Sequence, residues 1–93
     1  MEDNIKERLE KYLKITEKAI KKVKFSKKPN IKEDAAREIL EMAKRYYEDA
    51  LHFKEKGDYI NAFAAVNYAH GWLDTAAYIG LFDVKDSKLF TVE

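Results

Sequence analysis

The sequence predicts an all-α fold, a three-helix bundle in which the last two helices form a tight antiparallel hairpin. Apolar residues recur at spacings of three and four along three long segments, which is the period of an amphipathic helix. The third segment has no charged side chain between Asp58 and Asp74, although Asp, Glu, Lys and Arg make up 38% of the chain. A helix with so few charges must be covered on more than one side, so we expect it at the centre of the bundle.

The first predicted helix runs from Asp3 to about Lys24. Glu and Lys recur at i, i+4 spacing along it, as in the pair Glu7 and Lys11. These pairs lie outside an apolar seam that consists of Ile5, Leu9, Tyr12, Thr16, Ala19 and Val23. The pattern is typical of a helix with one buried stripe and a solvated opposite face.

The second predicted helix runs from Ile31 to about Lys56. Pro29 disfavours helix just before it, and Asn30 is suited to be its N-cap, with Glu33 completing a capping box.

Gly57 and Asp58 are the turn between the second and third helices. Gly57 is suited to follow a helix and Asp58 to be the N-cap of the next one. A connection this short requires an antiparallel hairpin. The third helix ends near Tyr78 or Ile79, where Gly80 follows. We therefore assign residues 1–85 to one helical domain and residues 86–93, which have little apolar content, to a C-terminal tail.

Composition excludes several classes of protein. The 93 residues suffice for one small domain, and a hydrophobic content of 46% excludes a disordered chain. The formal net charge of +1 does not indicate a strongly basic nucleic-acid binder. The chain has no cysteine, which excludes a disulfide framework and thiolate chemistry.

We expect a cytoplasmic protein without a membrane partner. The charged N-terminus lacks the apolar core of a signal peptide. The uncharged run from Tyr59 to Leu73 is too short to span a bilayer. The absence of Cys and Gln, together with abundant Lys and Glu, is typical of proteins from thermophiles.

The second half of the second helix and the whole third helix carry a resemblance to a known family. The matching run extends from Asp49 to Asp74 and includes His52-Phe53, Gly57-Asp58-Tyr59 and Asn67-Tyr68-Ala69-His70-Gly71-Trp72. With Gly80-Leu81-Phe82, this run resembles an archaeal family named domain of unknown function 357. The resemblance implies an all-helical fold of about this length and an archaeal, intracellular origin. It implies no activity, substrate or catalytic residue.

Aromatic and small residues of the third helix predict an interaction surface. A three-helix bundle covers only two sides of each helix, yet this helix is apolar or small around most of its circumference. We expect one patch to stay uncovered and to bind a partner protein or a second copy of the chain. The patch consists of Ile60, Ala64, Tyr68, Gly71, Thr75 and Tyr78.

Asn67, His70 and Asp74 form a candidate polar site on one ridge of the third helix. We expect a partly buried imidazole that is held by hydrogen bonds from its own helix. His70 with Asp74, and Asp49 with His52, also have spacings that suit metal ligands. The antiparallel hairpin separates these two pairs by about 10 Å along the helix axis. We therefore predict no metal site and no cofactor.

Arg45 and His52 suggest an alternative function. Their Arg-x6-His pattern is similar to the motif of HEPN-type helical ribonucleases, in which motifs from two protomers converge on RNA. Seven residues apart, the two side chains lie on one helix face about two turns from each other. The simpler interpretation is a solvated face with an Arg45–Asp49 ion pair.

A run of lysines near the end of the first helix also allows a contact with nucleic acid. The run contains no acidic residue and comprises Lys18, Lys21, Lys22, Lys24, Lys27 and Lys28. These side chains either stay hydrated and complement the helix dipole, or make weak, salt-dependent contacts with phosphates.

A binding role fits the sequence better than catalysis. The chain shows no Gly-rich phosphate loop, no setting for a Ser or Cys nucleophile, and no workable ligand cluster. We expect a non-catalytic, intracellular interaction or scaffold module that acts through the third helix, including by self-association. An RNA-binding or ribonuclease domain that uses Arg45 and His52 is the alternative.

Overall fold

Three α-helices form the protein in a computed structural model that describes residues 2–28 and 32–91. They are α1 (Glu2–Lys22), α2 (Glu33–Glu55) and α3 (Tyr59–Tyr78). No strand occurs within these two ranges, so the predicted all-α class is confirmed. In the same ranges, no helix has both the length and the apolar character needed to cross a bilayer.

Two contacts with each of the other helices define the orientation of α1 in the bundle. Tyr12 of α1 stacks edge-on against Phe63 near the start of α3, with ring centroids 5.2 Å apart. Tyr47 of α2 donates a hydrogen bond of 3.3 Å to Glu17 near the end of α1. Further along α1, Thr16 lies 3.0 Å from His70 of α3, so the two helices advance in the same direction. Nearer the start of α1, Glu10 pairs with Lys54, which lies after Tyr47 in α2. The helix α1 is therefore parallel to α3 and antiparallel to α2, and α3 packs against both of the other helices.

The helices end and begin close to the predicted positions. The helix α2 starts at Glu33 with Lys32 as its N-cap, and the Lys32 side chain makes no capping hydrogen bond. The predicted start at Ile31 and the predicted cap, Asn30, lie outside the described residues. Asp58 is the N-cap of α3, as predicted, because its carboxylate accepts a hydrogen bond of 3.2 Å from the amide of Asn61.

Both glycine turns have the geometry that the sequence predicts. Gly57 and Gly80 have φ angles of 78° and 86°, which is the left-handed region that favours glycine. After α2, the amide of Asp58 donates to the carbonyl of Phe53 at 2.9 Å. After α3, the amide of Leu81 donates in the same way to Ala76 at 2.9 Å. Both helices therefore end in Schellman motifs, and the first of these reverses the chain into the hairpin.

Rows of alanine hold α2 against α3. Each row repeats every seven residues and is completely buried, with Ala36, Ala43 and Ala50 on α2 and Ala62, Ala69 and Ala76 on α3. Because the two helices are antiparallel, the rows run along each other. Because alanine side chains are small, we expect the helix axes here to lie toward the short end of the usual range of about 8–10 Å.

The larger core side chains lie where α1 and the C-terminal segment cover the hairpin. Leu9 and Leu13 of α1 form one apolar cluster with Val66 of α3. A second cluster contains Leu73 of α3 and extends to the C-terminal segment. Packing of α1 therefore depends more on leucine and aromatic side chains than the alanine-lined hairpin does.

Chain segments at the end of the bundle pair with each other. Phe25 after α1 and Phe82 after α3 form an isolated antiparallel bridge, with flanking backbone hydrogen bonds of 2.7 and 3.0 Å. Leu89 and Phe90 then fold back and are buried in the cluster of Leu73. The assignment of residues 86–93 to a tail stays a prediction, but Leu89 and Phe90 share the core of the bundle.

Candidate functional site

The outer face of α3 is a continuous uncharged surface. It comprises Ile60, Ala64, Tyr68, Gly71, Thr75 and Tyr78, all of which are exposed, together with Ile79 at the helix end. The exposed fractions of its large residues are 74% for Ile60, 52% for Tyr68, 67% for Tyr78 and 57% for Ile79. The six residues predicted from sequence thus lie together on one side of the helix, while the opposite side packs in the core.

Tyr68 lies at the middle of the outer face and is held by two other aromatic rings. The ring of Tyr46 from α2 meets it edge-on with centroids 4.5 Å apart. The ring of Trp72, one turn further along α3, also meets it edge-on at 6.0 Å. About half of Tyr68 nevertheless stays exposed, so the ring packs against two neighbours and still presents an aromatic surface to solvent.

A groove adjoins the outer face at the start of α3. Its volume is about 430 Å³, and Ile5 and Arg8 of α1 line one wall while Ile60, Phe63 and Ala64 of α3 line the other. The lining of the groove is mostly apolar, and Arg8 is the charged residue among those that line it. This groove widens the apolar surface on the side toward α1.

His70 connects three parts of the chain. Its Nδ1 lies 3.0 Å from the hydroxyl of Thr16 on α1, and its Nε2 lies 2.7 Å from the carbonyl oxygen of Leu89. A carbonyl only accepts, so Nε2 carries a proton and donates to Leu89. In the neutral imidazole, Nδ1 is then the acceptor and the Thr16 hydroxyl donates to it. Both ring nitrogens are therefore occupied by structural hydrogen bonds.

The predicted polar site is assembled in a different way from the sequence expectation. Asp74 is 3.5 Å from Nε2 of His70 and accepts a shorter hydrogen bond, of 2.8 Å, from the amide of Thr91. Asn67 is exposed and is not among the hydrogen-bond partners of His70 in the described part of the chain. His70 and Asp74 thus anchor the C-terminal segment side by side.

Thr16 and Leu89 are the partners of His70 that the sequence did not reveal. One signal was present, because Thr16 is a hydroxyl residue inside the apolar seam of the first helix. A hydroxyl at a buried position needs a hydrogen-bond partner, and Thr16 is only 1% exposed. The carbonyl of Leu89 gives no signal in the sequence.

No cluster of three or more His, Cys, Asp or Glu side chains that could hold a metal ion occurs among the described residues. Asp49 and His52 lie exposed on α2, whereas His70 is partly buried at the junction of α3 with α1. The structure therefore keeps the two candidate ligand pairs apart.

Arg45 and His52 are both exposed on α2. The guanidinium of Arg45 lies 4.0 Å from the sulfur of Met42. The prediction of an Arg45–Asp49 ion pair is wrong, since these two described residues do not form one. The two side chains of the proposed RNA motif are therefore both accessible to solvent.

Tyr47 lies at the contact between α1 and α2. Burial, the negative charge of Glu17, and the hydrogen bond to the same carboxylate raise the pKa of Tyr47 above the usual 10.0. Glu10 adds to this effect from the same helix. The tyrosine is therefore a structural hydrogen-bond donor between helices rather than a proton acceptor.

The lysines of the predicted run are all exposed, namely Lys18, Lys21, Lys22, Lys24, Lys27 and Lys28. Lys21 pairs with Glu17 at 3.7 Å and Lys22 with Asp86 at 3.8 Å. A groove of about 590 Å³ between this run and the C-terminal segment is lined by lysines and also by Asp83 and Asp86. The charge at this end of the bundle is therefore mixed.

These features define a class of protein: a small helical bundle with an uncharged outer helix face and a histidine that serves to fix the C-terminal segment. The chain belongs to the family described as Protein of unknown function (DUF357), which it matches over residues 11–82. The match covers α2, α3 and most of α1, and confirms the resemblance found in the sequence. No curated protein and no solved structure matches the chain.

Proposed function

We propose that this protein is a non-catalytic, intracellular interaction module that binds another polypeptide through the outer face of α3. The observation that carries the proposal is the exposure of Ile60, Tyr68, Tyr78 and Ile79 on the one face of α3 and its C-terminal end that has no charged residue. Exposed apolar patches of this kind are characteristic of protein-binding surfaces.

Aromatic geometry supports the same role. Tyr is among the residues that contribute most to binding energy at interfaces, especially when it is already fixed in place. Tyr68 has this property because Tyr46 and Trp72 hold its ring from two sides. A partner would therefore gain contact area without the loss of much side-chain entropy.

Site-specific photocrosslinking tests the proposal. Benzoylphenylalanine replaces Tyr78 on the outer face or, as the matched control, Glu48 on the solvated side of α2, where both native residues are exposed. Each labelled protein is irradiated in an extract of the source organism. We expect a covalent polypeptide adduct from position 78 and none from position 48.

Competition makes this result specific. Excess unlabelled wild-type protein should suppress the adduct, whereas the Tyr68→Glu variant should not, because a carboxylate at the centre of an apolar interface would be buried without a partner. The same adducts from both labelled positions, or none from position 78, would overturn the proposal.

A second candidate function is RNA binding, which the exposure of all six lysines of the run favours. Binding of mixed RNA should then weaken steeply with salt and fall when Lys24 and Lys27 are changed to Glu. For the ribonuclease variant of this candidate, His52→Ala should abolish cleavage. Equal results for wild type and variants at low salt would exclude both.

A further inference from the structure

We infer that the polypeptide bound by the outer face of α3 is a second copy of this chain. The two α3 helices lie antiparallel across a two-fold axis, with Tyr68 of each copy over Gly71 of the other. This inference rests on the proposed function and names its partner.

The outer face has the spacing of a coiled-coil seam. Its residues occupy an arc of about 100° when positions are projected at 100° per residue. Steps of four and three alternate along it, through Ala64, Tyr68, Gly71, Thr75 and Tyr78. A seam with this period packs against another helix, and no helix within the described residues of the chain covers it.

The seam is complementary to itself in one antiparallel register. That register places the large Tyr68 against Gly71 and the two small residues Ala64 and Thr75 against each other. It also brings the exposed Ile60 and Ile79 of opposite copies to the same level along the axis. All three pairs share one midpoint in the sequence, as a two-fold axis requires. A parallel register would instead place Tyr68 against itself and Gly71 against itself.

Gly71 provides the space that this register needs. A Cβ atom built on Gly71 meets no other atom within 4 Å, so the surface above it is open in the single chain. Glycine within a helix normally weakens it by about 1 kcal/mol relative to alanine. A close approach by the Tyr68 ring of the second copy gives this glycine a role in packing, since the monomer fold gives it none.

Charge favours a second copy over a partner with a strongly charged surface. The outer face has no Asp, Glu, Lys or Arg, and Asp74 is held away from it at the amide of Thr91. Two copies therefore meet without burying an ion. The exposed sides of α1 and α2 are rich in charged residues and would stay in solvent.

The surface area that the two helices bury gives an expectation for the dissociation constant of the dimer. The seam from Ile60 to Ile79 is about 28 Å long at 1.5 Å per residue. One helix pair of this length with two exposed tyrosines per copy buries on the order of 1,000 Å² in total, at the low end for specific interfaces. We therefore expect a reversible dimer with a micromolar dissociation constant.

Disulfide trapping tests the register. The chain has no native cysteine, so any disulfide must join the introduced cysteines. Single variants Ala64→Cys and Thr75→Cys are oxidised alone and as a mixture. In the proposed register, positions 64 and 75 of opposite copies are adjacent, whereas two copies of position 64 are about 16 Å apart along the axis. A disulfide requires Cα atoms within about 7 Å, so only the mixture should form a dimer efficiently.

Sedimentation velocity over a concentration series tests the contact itself. Gly71→Leu should raise the dissociation constant of the dimer at least tenfold, because the added side chain occupies the space of Tyr68. The variant should fold, since leucine is a good helix former and its site is open. The control Glu48→Leu adds the same side chain to the exposed side of α2 and should leave the dimer unchanged.

The outcomes separate this inference from the function on which it rests. A disulfide from Ala64→Cys alone, or a dimer that Gly71→Leu does not weaken, overturns the antiparallel pairing. A monomer at concentrations on the order of 0.5 mM overturns self-association. The proposed function then stands if position 78 still crosslinks to a different protein in the extract, and fails if that adduct is also absent.

Discussion

The hydrogen bonds of His70 predict a large and specific loss of stability for His70→Ala. This change leaves the hydroxyl of Thr16, which is 1% exposed, without its partner at 3.0 Å. A buried polar group left in this state costs about 1–3 kcal/mol. The carbonyl of Leu89 also loses its donor at 2.7 Å, which adds about 1 kcal/mol.

The expected total is therefore a decrease of about 2–4 kcal/mol in the free energy of unfolding. For a chain of this length, each kcal/mol shifts the melting temperature by roughly 4–8 °C, so His70→Ala should melt at least about 8 °C lower. Chemical denaturation and calorimetry of dilute protein measure both quantities. His52→Ala is the matched control, because His52 is exposed and should change stability by no more than about 0.5 kcal/mol.

A double-mutant cycle with Thr16→Val identifies the cause of the loss. Thr16→Val removes the hydroxyl that His70→Ala leaves unpaired, so the double variant should be more stable than the sum of the single changes predicts by about 1 kcal/mol. Additive losses, or equal losses for His70→Ala and His52→Ala, would refute the assignment of His70 as a link between α1, α3 and the C-terminal segment.

Three further predictions concern other parts of the fold. Because the pKa of Tyr47 is raised on folding, its contribution to stability is complete below pH 10 and is lost as the pH rises above 10.0. Denaturation between about pH 9 and 11 should therefore show a smaller loss for Tyr47→Phe than for wild type. Phe90→Ala should lower the free energy of unfolding by about 3–5 kcal/mol, since Phe90 is 3% exposed. The control is Ser87→Ala at a nearby exposed position, which should change stability by no more than about 0.5 kcal/mol. Equal losses of stability for the two variants would contradict the packing of the C-terminal segment. Gly57→Ala should lower the free energy of unfolding by about 1–2 kcal/mol, because the φ of 78° at Gly57 is left-handed. Gly71→Ala should instead stabilise the monomer by about 1 kcal/mol. Thermal melts at low protein concentration measure both changes, and the opposite order of stability would contradict the helix assignments.

The predictable parts of this fold were those encoded by neighbouring residues. The Gly57 and Asp58 turn was located correctly because a left-handed residue and an N-cap have strong local preferences. The outer face of α3 was located because a helix with so few charged residues in a three-helix bundle has one more apolar side than its neighbours can cover. Both conclusions need only helical periodicity and the number of helices.

The parts that escaped prediction depend on residues far apart in the chain. Thr16 and His70 are 54 residues apart, and no local pattern links them. Leu89 and Phe90 are two apolar residues without a helical repeat, so their burial follows from the space beside α3 rather than from their own segment. The predicted ion pair between Arg45 and Asp49 did not form for another reason. Exposed i, i+4 ion pairs contribute little to stability and compete with hydration of the two charged groups.

The alanine rows have a consequence for motion in the molecule. Neither row can accept a larger side chain without forcing the two backbones apart, and neither contains long side chains that could repack to let the helices slide. We therefore expect α2 and α3 to move together as one rigid unit. In hydrogen exchange, the amides of α1 should therefore open before those of α2 and α3.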